Sequence, residues 1–404
     1  MHILVISEIF PPDMAGSATR AYNIAKGLIA KGHKVTVIAG FPHYPTGNVP
    51  HSYRRKAFSR ENVGNIDVIR TYVPPLASKG FLKRAVLFVV FSLSSTFPFP
   101  VIRKVDGVFA SNPQIISFFP ALLYKAVHRC RIILNVDDLW PENLYDLGML
   151  QSSNSRRFGE FVARVAYSGA DAIAPISPTY VDVITTKYVR KKGKITVVPG
   201  GVDLSMFPVA SSESNGEKEF TVMYIGAFSP AYDFNQVLMA AKLLEGRQEI
   251  RIIIRGGGEV APLIRDGIRE FELSNIWLIE SIVPREEVVK IMSSADVLLL
   301  PLNGTENVEK GISSKLYEYQ AVGKPIICCS RGTPGRYVRE TESGIVVEPG
   351  DYEELARVIM YLLNHREIAE KYGLNGRDFV EKNLSLLGIS SKLLRMFEHS
   401  RLRT

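Results

Sequence analysis

Two hydroxyls and an ammonium stand together at Ser313, Ser314 and Lys315, three residues ahead of Glu318, in the run SSKLYEYQAVGKPIICCS. The run reads as a helix over 313–323, entered from the strand VLLLPL through an acidic, glycine-containing loop. The first four N–H groups of a helix lack partners inside it and point the same way. With two hydroxyls and a lysine they make a seat for a diphosphate. One turn further in, Glu318 lies on the face of Ser314, where a carboxylate can accept hydrogen bonds from a ribose diol. The same residues also fit an ordinary capped helix whose glutamate faces water.

Four other stretches carry residue types with chemical uses. NVDDLWPENLYDLG (135–148) ends a strand with Asp137, Asp138, Trp140 and Glu142 clustered. Carboxylates there suit proton handling or recognition of sugar hydroxyls, and Trp140 or Tyr145 would stack on a sugar face; a capped turn around a half-buried tryptophan is the alternative. The first loop, Glu8 to Arg20, is longer than a plain strand-to-helix connection needs, and Gly16 lets backbone approach a ligand there. It is not G-x-G-x-x-G, so a dinucleotide fingerprint is absent. RGGGEV (255–260) follows the strand IRIII, where Gly256 leaves room for a phosphate or base and Arg255 supplies charge; a glycine turn after a strand is also common. FPHYPTGNVPHSYR (41–54) reads as a binding loop with His43 and Tyr44 as contacts, though a lone histidine is more often structural.

The most apolar window, AVLFVVFSLSSTFPFPVI (85–102), has Lys79, Lys83 and Arg84 ahead of it and Arg103 and Lys104 behind. It is about as long as a minimal span and contains Ser, Thr and Pro. A peripheral contact, with an apolar face in lipid and basic flanks on anionic headgroups, fits Ala85 to Ile102 better; the other reading is a core helix. A net charge of +8 calls for an anionic partner, either a phosphorylated small molecule or a membrane surface. Nucleic acid, the third anionic class, fits least and is not expected as a partner, since no long basic run with interleaved aromatics, zinc-finger spacing or RNA-recognition signature occurs. The three cysteines have no metal-ligand spacing and read as packing residues of a reducing compartment; the N-terminal MHILVIS lacks signal-peptide character.

These groups must be positioned by alternating strands and helices. HILVIS, a helix over 17–31, HKVTVIAG, GVFAS, RIILNV, DAIAPIS and KITVVPG (194–200) form a first series. The polar stretch 208–219 reads as a linker. FTVMYIG, helix 234–245, IRIIIRGGG, helix 259–272, IWLIESI, helix 285–294 and VLLLPL begin a second series, and 351–401 read as helical. At 404 residues two domains are expected, 1–207 and 220–384, with a last helix from about 385 packing back on the first. Open parallel sheets bind ligands at their strand C-termini, so the expected fold class is α/β, two Rossmann-like parallel-sheet domains facing a cleft.

Taken together, PPDMAGSATR, FPHYPTG, DLWPE, KITVVPGGVD and SSKLYEYQAVGKPII make the chain resemble the retaining GT-B glycosyltransferases of family 4, in the subgroup that builds surface polysaccharides on lipid carriers. The resemblance spans nearly the full length. It implies a nucleotide-sugar donor bound mainly by the second domain, a polyprenyl-diphosphate-linked sugar acceptor bound by the first, and transfer with retention. It also implies no metal or other cofactor, and a cytoplasmic enzyme peripheral on the membrane. By position, Glu318 would hold the ribose, Ser313, Ser314 and Lys315 would lie by the diphosphate or sugar, and Gly16 would border the diphosphate. Asp138 or Glu142 would meet acceptor or donor sugar as the catalytic carboxylate, beside acceptor contacts His43, Tyr44 and Trp140. Two departures stand out. Family members commonly carry a first glutamate eight positions before the ribose glutamate; here Lys310 stands there, and Glu309 is one position off. The Arg and Lys that often follow the Y-x-G strand are absent after Gly226, leaving Arg255, Lys310 and Lys315 as cations for the diphosphate. Other uses of the same fold are a non-catalytic sugar-binding protein and a nucleotide-sugar epimerase.

Overall fold

The computed structural model describes the chain except for Met14, 45–46, 77–80, 112–114, 147–149, Gln151, 190–191, 209–218, Ile282 and 399–404. Nearly all of the linker read over 208–219 therefore lies outside the described residues. The chain divides into two compact units: Met1–Gly201 together with the segment from Leu386, and Val202–Ser385.

The first unit runs β1 His2–Ile6, α1 Gly16–Ala30, β2 Lys34–Gly40, β3 Phe58–Val63, β4 Ile66–Thr71, α2 Phe81–Ser94, β5 Gly107–Ala110, α3 Phe118–His128, β6 Arg131–Val136, α4 Glu142–Asp146, α5 Ser153–Gly169, β7 Ala172–Pro175 and α6 Pro178–Lys187. Its seven strands lie in the order β3-β4-β2-β1-β5-β6-β7, all parallel except for the β3–β4 pair. Right-handed crossovers send α1 to one face of this sheet and α2, α3 and α5 to the other. One core cluster contains Phe91 of α2, Phe118 and Tyr124 of α3 and Val162 and Tyr167 of α5.

The second unit runs β8 Phe220–Ala227, α7 Phe234–Leu243, β9 Ile250–Gly257, α8 Ala261–Glu270, β10 Ile276–Glu280, α9 Arg285–Ser293, β11 Val297–Pro301, α10 Glu306–Lys310, α11 Ser314–Val322, β12 Ile326–Cys329, α12 Thr333–Glu340, β13 Gly344–Val347, α13 Tyr352–Asn364 and α14 Arg366–Asn383. The last helix, α15 Leu386–Glu398, belongs to the first unit and packs on α1. The second sheet is wholly parallel, ordered β10-β9-β8-β11-β12-β13. The chain leaves β8 toward one edge and returns at β11 to build the other. That switch point puts the ends of β8 and β11 beside each other, where doubly wound sheets bind ligands.

Three readings of the sequence change. KITVVPG is not a ladder strand: it runs beside β7 with two hydrogen bonds, Thr196 N–H to Ile173 and Val198 N–H to Pro175, at 3.0 and 2.8 Å. The β3–β4 hairpin was unforeseen, because Phe58–Val63 alternates exposed and half-buried residues at an edge. The apolar window is no continuous helix, since α2 stops at Ser94 and only a short turn, Phe99–Val101, follows. Within α2, Leu87 and Phe91 face the core while Val86, Val89 and Leu93 face solvent.

Candidate functional site

In the second unit the seat is built where β8, β11 and α11 meet. Ser313 caps α11, its hydroxyl accepting the Lys315 N–H at 3.4 Å, and Ser314 is exposed in the first turn. Lys315 folds back over the end of β8, with its ammonium 5.7 Å from the Tyr224 ring centre and 5.2 Å from that of Tyr232. The Tyr232 hydroxyl is hydrogen-bonded to Lys315 and Ser313. Burial would raise the phenol, but the ammonium and these hydrogen bonds outweigh it and hold the phenol below its usual range. The lysine needs room: a Cβ on Gly226, which has φ +143°, would lie 2.3 Å from the Lys315 Cε. A cation is thus oriented by two aromatic faces above a helix N-terminus.

The neighbours of the seat differ from the sequence reading in detail. Gly256, at φ +147°, is required by the protein's own backbone, because a Cβ there would stand 1.8 Å from the Gly226 carbonyl oxygen. Its absence of side chain allows the close β8–β9 approach. Arg255 is half-buried, and its Nε has no hydrogen-bond partner among the described residues. Lys310 ends α10 and pairs with Glu306 one turn back, so its charge is already shared. Glu309 accepts the N–H of Arg331 at 2.9 Å and of Gly332 at 2.6 Å, and the Ser330 hydroxyl, which fixes the loop ahead of α12. Glu318 is mostly buried and pairs through Oε1 with Arg285, the first residue of α9, at 2.7 Å. Nothing in the sequence pointed to Arg285 or Tyr232.

In the first unit, Gly16 opens α1 at the surface, and Ala15 offers no side-chain cap to the helix. The loop before it is held from within. Asp13 accepts the N–H groups of His43 and Tyr44, both at 2.9 Å. Arg70, fully buried, donates to the carbonyls of Phe10 and Gly40 at 3.3 Å and to that of Pro11, and pairs with Glu61. His43 is therefore not an open contact. It is buried, with Nδ1 2.8 Å from the Phe41 carbonyl and Nε2 3.3 Å from the buried Glu8 carboxylate. Burial pushes the Glu8 carboxyl up; burial alone would lower the imidazole, but Glu8 holds it above its usual range. Tyr44 is half-buried.

The DLWPE cluster separates into surface and core. Asp137 pairs with Arg20 of α1 at 2.8 Å; Arg20 also donates to Asn135 Oδ1 at 2.8 Å and to the Val198 carbonyl at 2.7 Å. Asp138 is exposed as a whole residue while its carboxyl is enclosed by protein, and that burial, with the charge of Asp137, pushes the carboxyl up to about 6. Trp140 is a core residue whose carbonyl accepts the Tyr167 hydroxyl at 3.2 Å, so its ring offers no stacking face. Glu142 is also turned inward, with Oε1 accepting Lys187 Nζ at 3.0 Å and the Tyr188 hydroxyl at 2.9 Å. That arrangement makes Glu142 an anchor of α4 and leaves Asp138 as the surface carboxylate. Among the described residues, no grouping of three or more His, Cys, Asp or Glu could hold a metal ion.

Two domain models match the chain. "Glycosyltransferase Family 4" covers residues 14–206 and "Glycosyl transferases group 1" covers residues 210–379. A relative named for colanic acid biosynthesis as a glycosyl transferase, WcaI of Escherichia coli strain K12, is 25% identical across 92% of this chain and 95% of its own. Sucrose-phosphate synthase of Thermosynechococcus elongatus superposes with a TM-score of 0.75 at 17% identity, covering 100% of both chains. Anabaena Alr3699/HepE, solved with UDP-glucose, gives 0.68 at 13% identity over 99% of this chain and 100% of its own. With a glycosyltransferase model on each unit, and a fold shared with both solved structures, the chain is a group 1 glycosyltransferase of the GT-B fold.

Proposed function

We propose that the protein moves a sugar from a nucleotide-sugar, with retention of configuration, to a polyprenyl-diphosphate-linked acceptor in surface polysaccharide synthesis. The observation that carries the donor half is Lys315, held by Tyr224 and Tyr232 over the α11 N-terminus at the switch point of the second sheet. As the bond from the anomeric carbon to the diphosphate breaks, charge develops on the departing oxygen. Fixed N–H groups and an ammonium stabilise that charge most in the transition state. The acceptor hydroxyl attacks from the face being vacated, its oxygen bonds to the anomeric carbon, and its proton passes to the leaving phosphate. No strong protein base is needed, which suits a chain with Lys310 in place of the first glutamate. Glu318, oriented by Arg285, takes the ribose hydroxyls.

The relative named for colanic acid biosynthesis and the UDP-glucose complex of a structural neighbour favour polysaccharide synthesis and a nucleotide-sugar donor. In this reading the first unit takes the acceptor, with Asp138 at its sugar, and meets the cytoplasmic membrane surface through the exposed side of α2. Thermal melts with a panel of nucleotide-sugars identify the donor as the one that raises the midpoint. Proton NMR of the product's anomeric coupling, compared with that of the donor, then tests retention. An inverted coupling, or no stabilisation by any donor, would refute this reading.

A further inference from the structure

The helical layer formed by α2, α3 and α5 has an outer side that is apolar and basic at once. All three helices pack on the same turn, Ile115–Ser117, and lie on one face of the sheet. On α2 the outer residues are Val86, Val89 and Leu93, and on α3 they are Leu123 and Val127. Helix α5 completes this outer side. Its inner side is buried through Val162, Ala163 and Tyr167, while Phe158 is 67% and Phe161 63% exposed. With 3.6 residues per turn, Phe161 falls between Arg157 and Arg164 on one stripe, and Phe158 stands beside it. Both arginines are exposed. Two neighbouring phenylalanines so open to water are unusual for a surface that stays in water.

The charge around them is one-sided. Helix α2 carries Lys83 and Arg84 and no acid, and α3 carries no acid either, its one lysine, Lys125, pairing with Asp171 at 2.6 Å. Helix α5 adds Arg156, Arg157 and Arg164 against Glu160. A second copy of this face would set the same positive excess against itself, whereas an anionic bilayer offers phosphates to the guanidinium groups and hydrocarbon to the rings.

We propose that the outer side of this layer is a lipid-contact surface for anionic bilayers, with Phe158 and Phe161 of α5 as an insertion point additional to α2. The proposal deepens the reading that the first unit meets membrane at α2, and each helix can be tested alone. Flotation of the full chain uses vesicles of phosphatidylcholine, with and without phosphatidylglycerol, and thermal melts confirm folding. The parent is expected to float with the anionic vesicles. F158S/F161S should keep the parent's melting midpoint and lose roughly tenfold or more of the binding, as expected for withdrawing two aromatic rings from lipid. R157Q/R164Q should weaken binding severalfold and flatten its dependence on salt. If F158S/F161S floats like the parent while V89S/L93S does not, α5 is no contact and the α2 reading stands. A parent that floats with neither vesicle overturns both. A parent that elutes as a dimer, made monomeric by F158S/F161S, would make this face a copy-to-copy interface and overturn the lipid proposal.

Discussion

Lys315 is where charge, helix geometry and aromatic packing converge, so its removal should be felt in donor affinity before anything else. A charge-assisted contact to an anion is worth about 1.5–3 kcal/mol, and Lys315→Ala should weaken nucleoside-diphosphate binding roughly 10- to 150-fold by calorimetry. Unchanged affinity would remove Lys315 from the seat. Arg285 gives a second test, since it holds one oxygen of Glu318 at 2.7 Å. Arg285→Ala should lessen discrimination between ribo- and 2′-deoxyribonucleotides in the same direction as Glu318→Gln, with the diphosphate contribution intact. Equal discrimination in parent and variants would separate Glu318 from the ribose. Asp138 supplies a pH signature. Its carboxyl is raised to about 6 from an ordinary value near 3.8, so the folded state holds that proton more tightly than the unfolded chain. The contribution of Asp138 to stability should therefore fall as pH climbs from about 4 to about 6. Asp138→Asn should melt above the parent at pH 7.5 and level with it at pH 3.5; a gap independent of pH would contradict the assignment. Much at this scale was beyond the sequence. Asp138 and Glu142 sit four apart in one motif, and only Lys187 and Tyr188, some 45 residues away, decide that Glu142 faces inward. Arg285 reaches Glu318 across 33 residues, and no local pattern encodes such a pairing.

Elements were more legible where burial is complete. Strands such as Val297–Pro301, buried at every position, are apolar runs ended by turn residues, and their alternation with helical spacing gave the fold class that the structure bears out. Legibility failed where a segment is half-wet, as in β3, or where apolar residues are buried by packing beside a sheet without joining it, as in KITVVPG. Helix α2 shows the same difficulty from the other side. Its composition could not say which aromatic faces lipid or water, and Phe91 proves to be core at 1% exposure. Phe91→Ala should therefore cost about 3–5 kcal/mol in denaturant unfolding, whereas Val89→Ser with Leu93→Ser should leave stability nearly unchanged. A small loss for Phe91→Ala would mean that α2 is not seated on this core.

At the scale of the whole molecule, each unit has its own sheet and its own buried cluster, and a glycosyltransferase model matches each. The second unit holds Lys315 over the rings of Tyr224 and Tyr232 at the α11 N-terminus, and the first carries Asp138 and the apolar, basic helical layer. With donor on the second unit and acceptor on the first, as proposed, turnover should require both ligands. The direct measurement is release of nucleoside diphosphate by the full chain, supplied with the nucleotide-sugar that stabilises it, in the presence and absence of a polyprenyl-diphosphate-linked sugar. Release is expected only when the acceptor is present, with a large loss of that release in Lys315→Ala. Release at the same rate without acceptor, or a Lys315→Ala variant as active as the parent, would contradict this assignment.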